Sequence, residues 1–480
     1  MIPAHPLHRY FMRLPHLLAA LVIANVTAFP ALSEETATAI ANKGRVPNIV
    51  LILADDFGYE CVTANGGESY QTPHLDRLAA NGMRFDHCHV QPLCTPTRVQ
   101  LMTGLYNVRN YYNFGTLPRT ETTFAHVLKK AGYATGIVGK WQLGREVDAP
   151  KHFGFDESCL WQHTRRPPRY ANPGLEYNGV EKDFSAGEFG PKLLNEFALD
   201  FITRHKSEPF FLYYPLTLTH DPFQPTPDSA DWDPKAIGEG VNRNVKHFAA
   251  MTTYMDKLIG QLDAKLGELG IRDNTLVIFI GDNGTAGSMT SRFQGANFRG
   301  GKGTTTHRGT HVPLIVSWPA TIKQGQVNRD LISSVDIFPT IMAAVGPTVT
   351  KHLPTKLDGV SFLPQLQGEK GQPREWLYHW YSPRQNQNSA VKEFAFNHHY
   401  KLYRDGRFVD LQTDLEETEP LDVNRLTGAA AAAAINLQTA LDQFKDARPA
   451  KFDADFAKEA PAAQPGKKKN KNKLKQKQDK

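Results

Sequence analysis

Two stretches constrain the fold more than any others. Asn48-Ile-Val-Leu-Ile-Leu-Ala54 and Asn274-Thr-Leu-Val-Ile-Phe-Ile280 are continuous apolar runs of strand length. A strand wet on one face alternates apolar with polar residues. A run without alternation must be covered on both faces, as in the interior of a parallel sheet. Each run ends in acid: Asp55-Asp56 follows the first, and Gly281-Asp282-Asn283-Gly284 follows the second. The carboxyl ends of parallel strands are where α/β sheets gather their ligand-binding groups.

The segments between and beyond these runs fit the same scheme. Helical patterns cover Thr72–Gly82, Thr122–Ala131, Lys192–His205 and Val245–Leu269. In the first, Thr72 stands as N-cap, Pro73 at the first helical position and Gly82 past the end. Tyr133–Gly139, Pro209–Tyr214 and His311–Pro319 read as further strands. Alternation of strands and helices predicts an α/β fold with a large mixed, mostly parallel sheet flanked by helices. Residues 150–190, rich in Pro, Gly and aromatics, read as loops bordering a site. Past Pro364 come short strand-like pieces at Leu377–Tyr381, Phe394–Phe396, Tyr400–Tyr403 and Phe408–Leu411, then a helix over Ala429–Phe444. The expected organisation is a main domain over 34–365 and a smaller C-terminal α+β domain over 366–450 with an antiparallel sheet. A disordered Lys-rich tail is expected over 451–480.

Charge excludes one class of partner. Of the formal +6, residues 1–33 carry +2 and residues 467–480 carry +7, which leaves −3 on the body. A slightly acidic body gives no case for nucleic-acid binding. At the N-terminus, Arg9 and Arg13 precede an apolar run from Leu17 to Phe29, and Ala31-Leu32-Ser33 supplies small residues for cleavage. Residues 1–33 therefore read as a signal peptide, the run being short for a transmembrane helix. The mature chain is expected to be exported, periplasmic or secreted, without stable membrane insertion. Four cysteines, Cys61, Cys88, Cys94 and Cys159, are too few for a disulfide scaffold and have no zinc-site spacing.

Cys94 opens the run Cys-Thr-Pro-Thr-Arg-Val-Gln-Leu-Met-Thr-Gly104, with Pro96 in a first helical turn and Arg98 one turn above Cys94. A cysteine at a helix N-terminus beside an arginine is a place prepared for negative charge. Elsewhere, Asp55, Asp56, Asp282 and Asn283 would bring four oxygen ligands to one sheet edge, a set suited to a hard cation such as Ca²⁺ or Mg²⁺. Arg98, Lys140, His220 and Lys302 each follow a strand, start a helix or lie in a Gly-rich loop, and together they form a basic cradle for an oxyanion. Any one of these residues alone has an ordinary structural reading; the argument rests on their joint placement.

The Cys94–Gly104 run resembles the signature of the formylglycine-dependent sulfatases along its whole length. Other blocks resemble that family's in the same order over residues 46–425. They are Asn48–Asp56, Gly139-Lys-Trp-Gln-Leu-Gly144, Phe279-Ile-Gly-Asp-Asn-Gly284, Gly300-Gly-Lys-Gly-Thr-Thr305, Val335-Asp-Ile-Phe-Pro-Thr340 and Leu357-Asp-Gly-Val-Ser-Phe-Leu-Pro364. The resemblance implies an alkaline phosphatase-like fold and hydrolysis of sulfate esters, with a sulfated carbohydrate as the expected substrate. It implies that Cys94 is oxidised to formylglycine by a formylglycine-generating enzyme, and that the hydrated aldehyde is the nucleophile. Asp55, Asp56, Asp282 and Asn283, with residue 94 itself, would hold Ca²⁺, Mg²⁺ being the other candidate. Arg98 and Lys140 would stabilise the hydrate and the sulfate charge, and His220 and Lys302 would face the bridging oxygen, with His220 as general acid.

The block around Lys140 departs from the family. Gln142 stands where the family has a histidine, and a glutamine keeps a hydrogen bond but cannot take a proton. His311-Val-Pro also replaces a more usual Arg-Val-Pro. For the sugar, Arg165, Arg166, Arg169, Arg384, His398 and His399 are the expected contacts. Two other readings compete: a formylglycine-dependent phosphonate or phosphodiester hydrolase, and an inactive homologue that binds sulfated glycans.

Overall fold

The computed structural model describes residues 46–235, 244–385 and 390–459. The signal-peptide reading of 1–33 and the tail beyond 459 lie outside the described residues. Among the described residues, no helix is long and apolar enough to cross a membrane.

The two apolar runs are neighbouring central strands. β1 (Asn48–Ala54) pairs in parallel with both β7 (Phe210–Pro215) and β8 (Thr275–Gly281). Around them lie β2 (Met83–His89), β3 (Ala134–Gly139), β4 (Glu157–Trp161), β5 (Gly174–Tyr177), β6 (Val180–Asp183), β11 (His311–Ser317) and β12 (Gln326–Ser333). The ten-stranded sheet runs β12-β2-β11-β8-β1-β7-β3-β4-β5-β6. It is mixed, because β11 runs antiparallel to β8 and β2, and β5 antiparallel to β4 and β6. The short hairpin of β9 (Thr290–Phe293) and β10 (Ala296–Arg299) stands apart.

Every residue of β1 is buried, and successive side chains serve opposite layers. Ile49, Leu51 and Leu53 pack with Val99, Leu101 and Met102 of the helix Cys94–Thr103 and with the helices Phe124–Lys130 and Ile337–Val345. Val50, Ile52 and Ala54 pack with the helices Pro73–Ala80, Gly190–Arg204 and His247–Glu268. Each fully buried Leu or Ile of this kind contributes about 1.5–3 kcal/mol, so β1 anchors both layers.

Several parts of the chain fold differently from expectation. Residues 150–190 are not only loops: β4, β5 and β6 extend one edge of the sheet. The β5–β6 turn is Asn178-Gly179, both with φ in the left-handed region, which matches a two-residue hairpin turn. β2 and β12 lie at the other edge and were absent from the sequence reading. No disulfide forms; all four cysteines are free and buried.

Toward the C-terminus, β13 (Leu377–Tyr381), β14 (Lys392–Phe396), β15 (Tyr400–Tyr403) and β16 (Phe408–Asp410) form the expected antiparallel sheet. Tyr378, Trp380, Ala395, Leu402 and Phe408 from it, and Leu437 and Leu441 of the helix Gly428–Asp442, share one core with the large sheet. Residues 45–480 accordingly form one compact unit. A buried lysine ties the small sheet to the large one. Lys401 donates from Nζ to the Thr305 carbonyl at 2.6 Å and to Glu417 at 2.7 Å, and the Tyr403 and Thr305 hydroxyls bond at 2.9 Å. The disorder expected from residue 451 onward does not hold at its start. Lys451–Glu459 is a helix, anchored by buried Phe452 stacked on Tyr112 and by Asp453 paired with Arg384 and Arg448. Phe456 adds a second contact, with the Arg384 guanidinium 4.9 Å from its ring.

Gly139 ends β3 with φ +122°, and a Cβ there would lie 1.9 Å from the Pro215 carbonyl oxygen. The strands β3 and β7 approach too closely for any side chain. Gly139→Ala is expected to cost about 2–4 kcal/mol, from strain and overpacking together, read as a lower urea midpoint at unchanged m-value.

Candidate functional site

The site follows from one register. Ala54 of β1 sits opposite Gly281 of β8, so the next residues, Asp55 and Asp282, emerge side by side. Asp56 turns with φ +60°, which brings its carboxylate back to the same place. The Asp56 backbone N–H donates to Asp282 at 3.0 Å, and the Asn283 amide donates to Asp56 at 2.9 Å. All four side chains are fully buried.

Cys94 is the first residue of its helix, which is buried along its entire length and ends at Gly104 with φ +67°. Ligand atoms of Asp55, Cys94 and Asp282 lie within 4.8 Å of one another, and so do those of Asp55, Asp56 and His220. Three carboxylates, residue 94 and the Asn283 carbonyl suit a hard cation. The Asn283 Oδ1 is buried without a hydrogen-bond partner, which fits a ligand atom awaiting an ion. The residues present therefore fit a divalent cation.

Three basic side chains neutralise the carboxylates. Lys140 reaches Asp55 at 2.7 and 2.9 Å, Lys302 reaches Asp56 at 2.7 Å, and Arg98 reaches Asp282 at 3.0 Å. Burial alone would raise Asp55 and Asp56, but Lys140, Arg98 and Lys302 around Asp55, and Lys302 and Lys140 around Asp56, hold both below the usual range. Asp282 is the exception: burial and the neighbouring Asp55 push it up to about 7 in spite of Arg98. Lys302 is disfavoured by burial, yet Asp56 and Cys94 outweigh this and raise it. The Cys94 thiol is itself raised, by burial first, so it stays protonated and is a poor nucleophile as it stands.

His220 is placed by its neighbour. The Thr219 N–H donates to the Asp55 carbonyl at 2.7 Å, and the Asp55 N–H donates to the Leu218 carbonyl at 2.9 Å. His220 Nδ1 lies 2.5 Å from the Asp221 carbonyl, an arrangement that puts the proton on Nδ1, and Nε2 lies 3.9 Å from Asp56. Burial lowers its pKa to about 4, so it is neutral here. Gln142 has φ +52°, and its Oε1 is buried without a partner.

These groups floor a cavity of 360 Å³ whose wall includes Cys94, Lys140, Gln142, His220 and Lys302. Phe114, Trp161, Arg166 and Arg169 complete it, with Arg169 stacked over Trp161 at 4.2 Å. The cavity can receive a small anion against Cys94 and an uncharged or polar body against the aromatics.

Five of the residues expected to meet the sulfate or the sugar lie outside the cavity wall. Arg98 is not in the cavity wall; it bonds Asp282 and, at 2.8 Å, the Lys140 carbonyl, which fixes the helix to the ends of β8 and β3. Arg165 points to Glu181 and Asp183, and Arg384 to Asp453, so neither reaches the cavity. His398 packs edge-on against His87, and His399 beside Tyr400, away from the cavity wall. Opposite charge or a partner ring captured each of them. Of the expected sugar contacts, Arg166 and Arg169 remain. Phe114 and Trp161 were missed, since nothing in their local sequence sets them apart from other buried aromatics.

With this geometry in view, the relatives can be stated. The family model described as Sulfatase matches residues 47–347, and that described as N-sulphoglucosamine sulphohydrolase, C-terminal, matches residues 302–445. The chain is 36% identical over 372 residues to arylsulfatase A of Bos taurus, covering 69% of this chain and 70% of that protein. It is 34% identical over 355 residues to N-acetylgalactosamine-6-sulfatase of Mus musculus, covering 67% and 66%. The PsFucS1 sulfatase from Pseudoalteromonas sp. shares the fold, with TM-score 0.66 and 23% identity over 86% of this chain and 95% of that chain. The chain belongs to the sulfatase family and is a sulfuric ester hydrolase.

Proposed function

We propose that the chain cleaves sulfate esters on a sulfated carbohydrate, with residue 94 as formylglycine and Ca²⁺ held by Asp55, Asp56, Asp282 and Asn283. Mg²⁺ is the other candidate ion. The observation that carries this reading is the convergence on Cys94 of three buried carboxylates and two lysines at the floor of one cavity. The raised thiol supports conversion to another nucleophile. The likeness to an N-acetylgalactosamine-6-sulfatase and the aromatic wall of Phe114 and Trp161 support a sugar. The N-terminal segment supports export, to the periplasm or outside the cell, and the conversion of Cys94 requires a formylglycine-generating enzyme as a partner during maturation.

Three carboxylates and three cationic side chains balance. A bound divalent cation adds two positive charges and supplies Lewis-acid stabilisation of the charge that grows on the sulfuryl oxygens. Lys140 and Lys302 share that charge and hold the sulfate against residue 94. As formylglycine hydrate, residue 94 would supply the hydroxyl that attacks sulfur, its proton passing to the neighbouring Asp282 carboxylate as the S–O bond to the sugar breaks. The approaching anion raises His220 from its neutral state, so that Nε2 can pass a proton to the leaving oxygen. The second hydroxyl would then give its proton to His220, neutral again after protonating the leaving oxygen, as the C=O bond re-forms and sulfate departs. Gln142 orients that hydroxyl but takes no proton, so this second step is the slow one.

Three outcomes test the reading. The tryptic peptide bearing residue 94, from the native host, should have the formylglycine mass, and Cys94→Ala should lower 4-nitrophenyl sulfate turnover by about 10³-fold or more; an unmodified thiol in active protein would refute it. Chelation should abolish turnover and lower Tm by about 5 °C, both restored by Ca²⁺. Stopped-flow kinetics should show a burst of the alcohol followed by slower turnover. Gln142→His should remain active and raise the steady rate by about tenfold; a slower steady rate in that variant would mean Gln142 is not the limitation.

A further inference from the structure

The catalytic cavity does not close at its outer wall. Phe114 and Arg166 also line an adjoining groove of 800 Å³, whose other walls come from the loops 112–117 and 144–146. The groove is tied to the catalytic helix: the Gly115 N–H donates to the Thr95 hydroxyl, one residue past Cys94, at 3.2 Å. The Arg166 guanidinium stands over Gly115, 3.4 Å from where a Cβ on that residue would be.

The charges in this groove are uneven. Arg119 is spent, with two hydrogen bonds to Asp148 at 2.7 and 3.1 Å. Arg145 and Arg166 are different. Among the described residues, neither guanidinium has a hydrogen bond or ion pair to a carboxylate, although Glu146 lines the same groove. Burial and the nearby guanidiniums of Arg145 and Arg169 push Arg166 down from its ordinary value, and Arg145 lines the same groove. Several arginines elsewhere on the surface do meet carboxylates, among them Arg165, Arg204, Arg384 and Arg404. Two adjacent, unpartnered guanidiniums repel each other, and an oxyanion between them relieves the repulsion with two forked hydrogen bonds.

We propose that the groove is a second anion subsite, in which Arg145 and Arg166 bind a carboxylate or a second sulfate on the sugar next to the one whose ester is cleaved. This rests on reading the catalytic cavity as a sulfated-carbohydrate site. The subsite makes the preferred substrate an acidic oligosaccharide rather than a single sulfated sugar. The scissile sulfate lies on residue 94, and the neighbouring sugar extends past Phe114.

The test is calorimetric titration of the full chain carrying Cys94→Ala. The probes are chondroitin disaccharides sulfated once on the hexosamine, with the uronate intact, with the uronate reduced to an alcohol, or with a second sulfate on the uronate. Each added anionic group should tighten binding by about tenfold over the reduced probe. Arg145→Gln and Arg166→Asn, the latter chosen because Asn accepts the positive φ of 56° there, should each erase most of that gain. Gain from the carboxylate alone, or from the added sulfate alone, identifies which oxyanion the subsite takes, and either supports it. Equal binding of all three probes, or a gain that survives both substitutions, overturns the subsite and leaves the sulfated-carbohydrate reading intact. Absence of binding by any probe, in protein whose wild-type form cleaves 4-nitrophenyl sulfate, overturns both.

Discussion

The structure depends on a compensated charge cluster at the carboxyl ends of β1 and β8. Asp55, Asp56 and Asp282 are completely out of water, a placement that is costly for each carboxylate alone. It is tolerated because Arg98, Lys140 and Lys302 meet them at hydrogen-bonding distance. Each cation arrives from a different part of the chain: a helix, the end of a strand and a Gly-rich loop. The cluster is therefore also the joint that holds these parts in register. Removing one partner of such a pair strands the other, at about 3–5 kcal/mol.

Arg98 shows how this joint differs from a substrate contact. Its side chain reaches from the middle of the Cys94 helix to the end of β8 and to the backbone of Lys140. It thereby sets where Lys140 starts and where Asp282 points. The lysines that touch the cavity are aimed by residues that do not. Below them, Gly139 allows β3 and β7 to approach to backbone contact, which sets the depth at which Lys140 leaves the sheet.

What the sequence made legible follows physical rules. β1 and β8 announce themselves because burial on both faces leaves no polar residue to break the run. The meeting of Asp55, Asp56 and Asp282 and the place of residue 94 at a helix start were legible from the strand ends and the Cys94–Gly104 run. β2 was hidden because Met83-Arg-Phe-Asp-His-Cys-His89 mixes charge and imidazole with its apolar positions near the sheet edge. The Asn178-Gly179 turn carried a hairpin signal, masked by a surrounding stretch that looked like loop. Most of the expected sugar contacts lie away from the cavity wall because a sequence gives residue type but not direction. Arg165 and Arg384 found carboxylates, whereas Arg166, beside the first of them, did not.

The tie between the two sheets has a consequence for how the chain comes to life on synthesis. Thr305, held by Lys401 and Tyr403 of the small sheet, lies three residues past Lys302. Cys94 and the carboxylates all lie within the first 283 residues, but the lysine aimed at Asp56 is braced by strands made about a hundred residues later. The charge cluster at the ends of β1 and β8 is therefore complete only once the C-terminal strands have been made and have closed on Thr305.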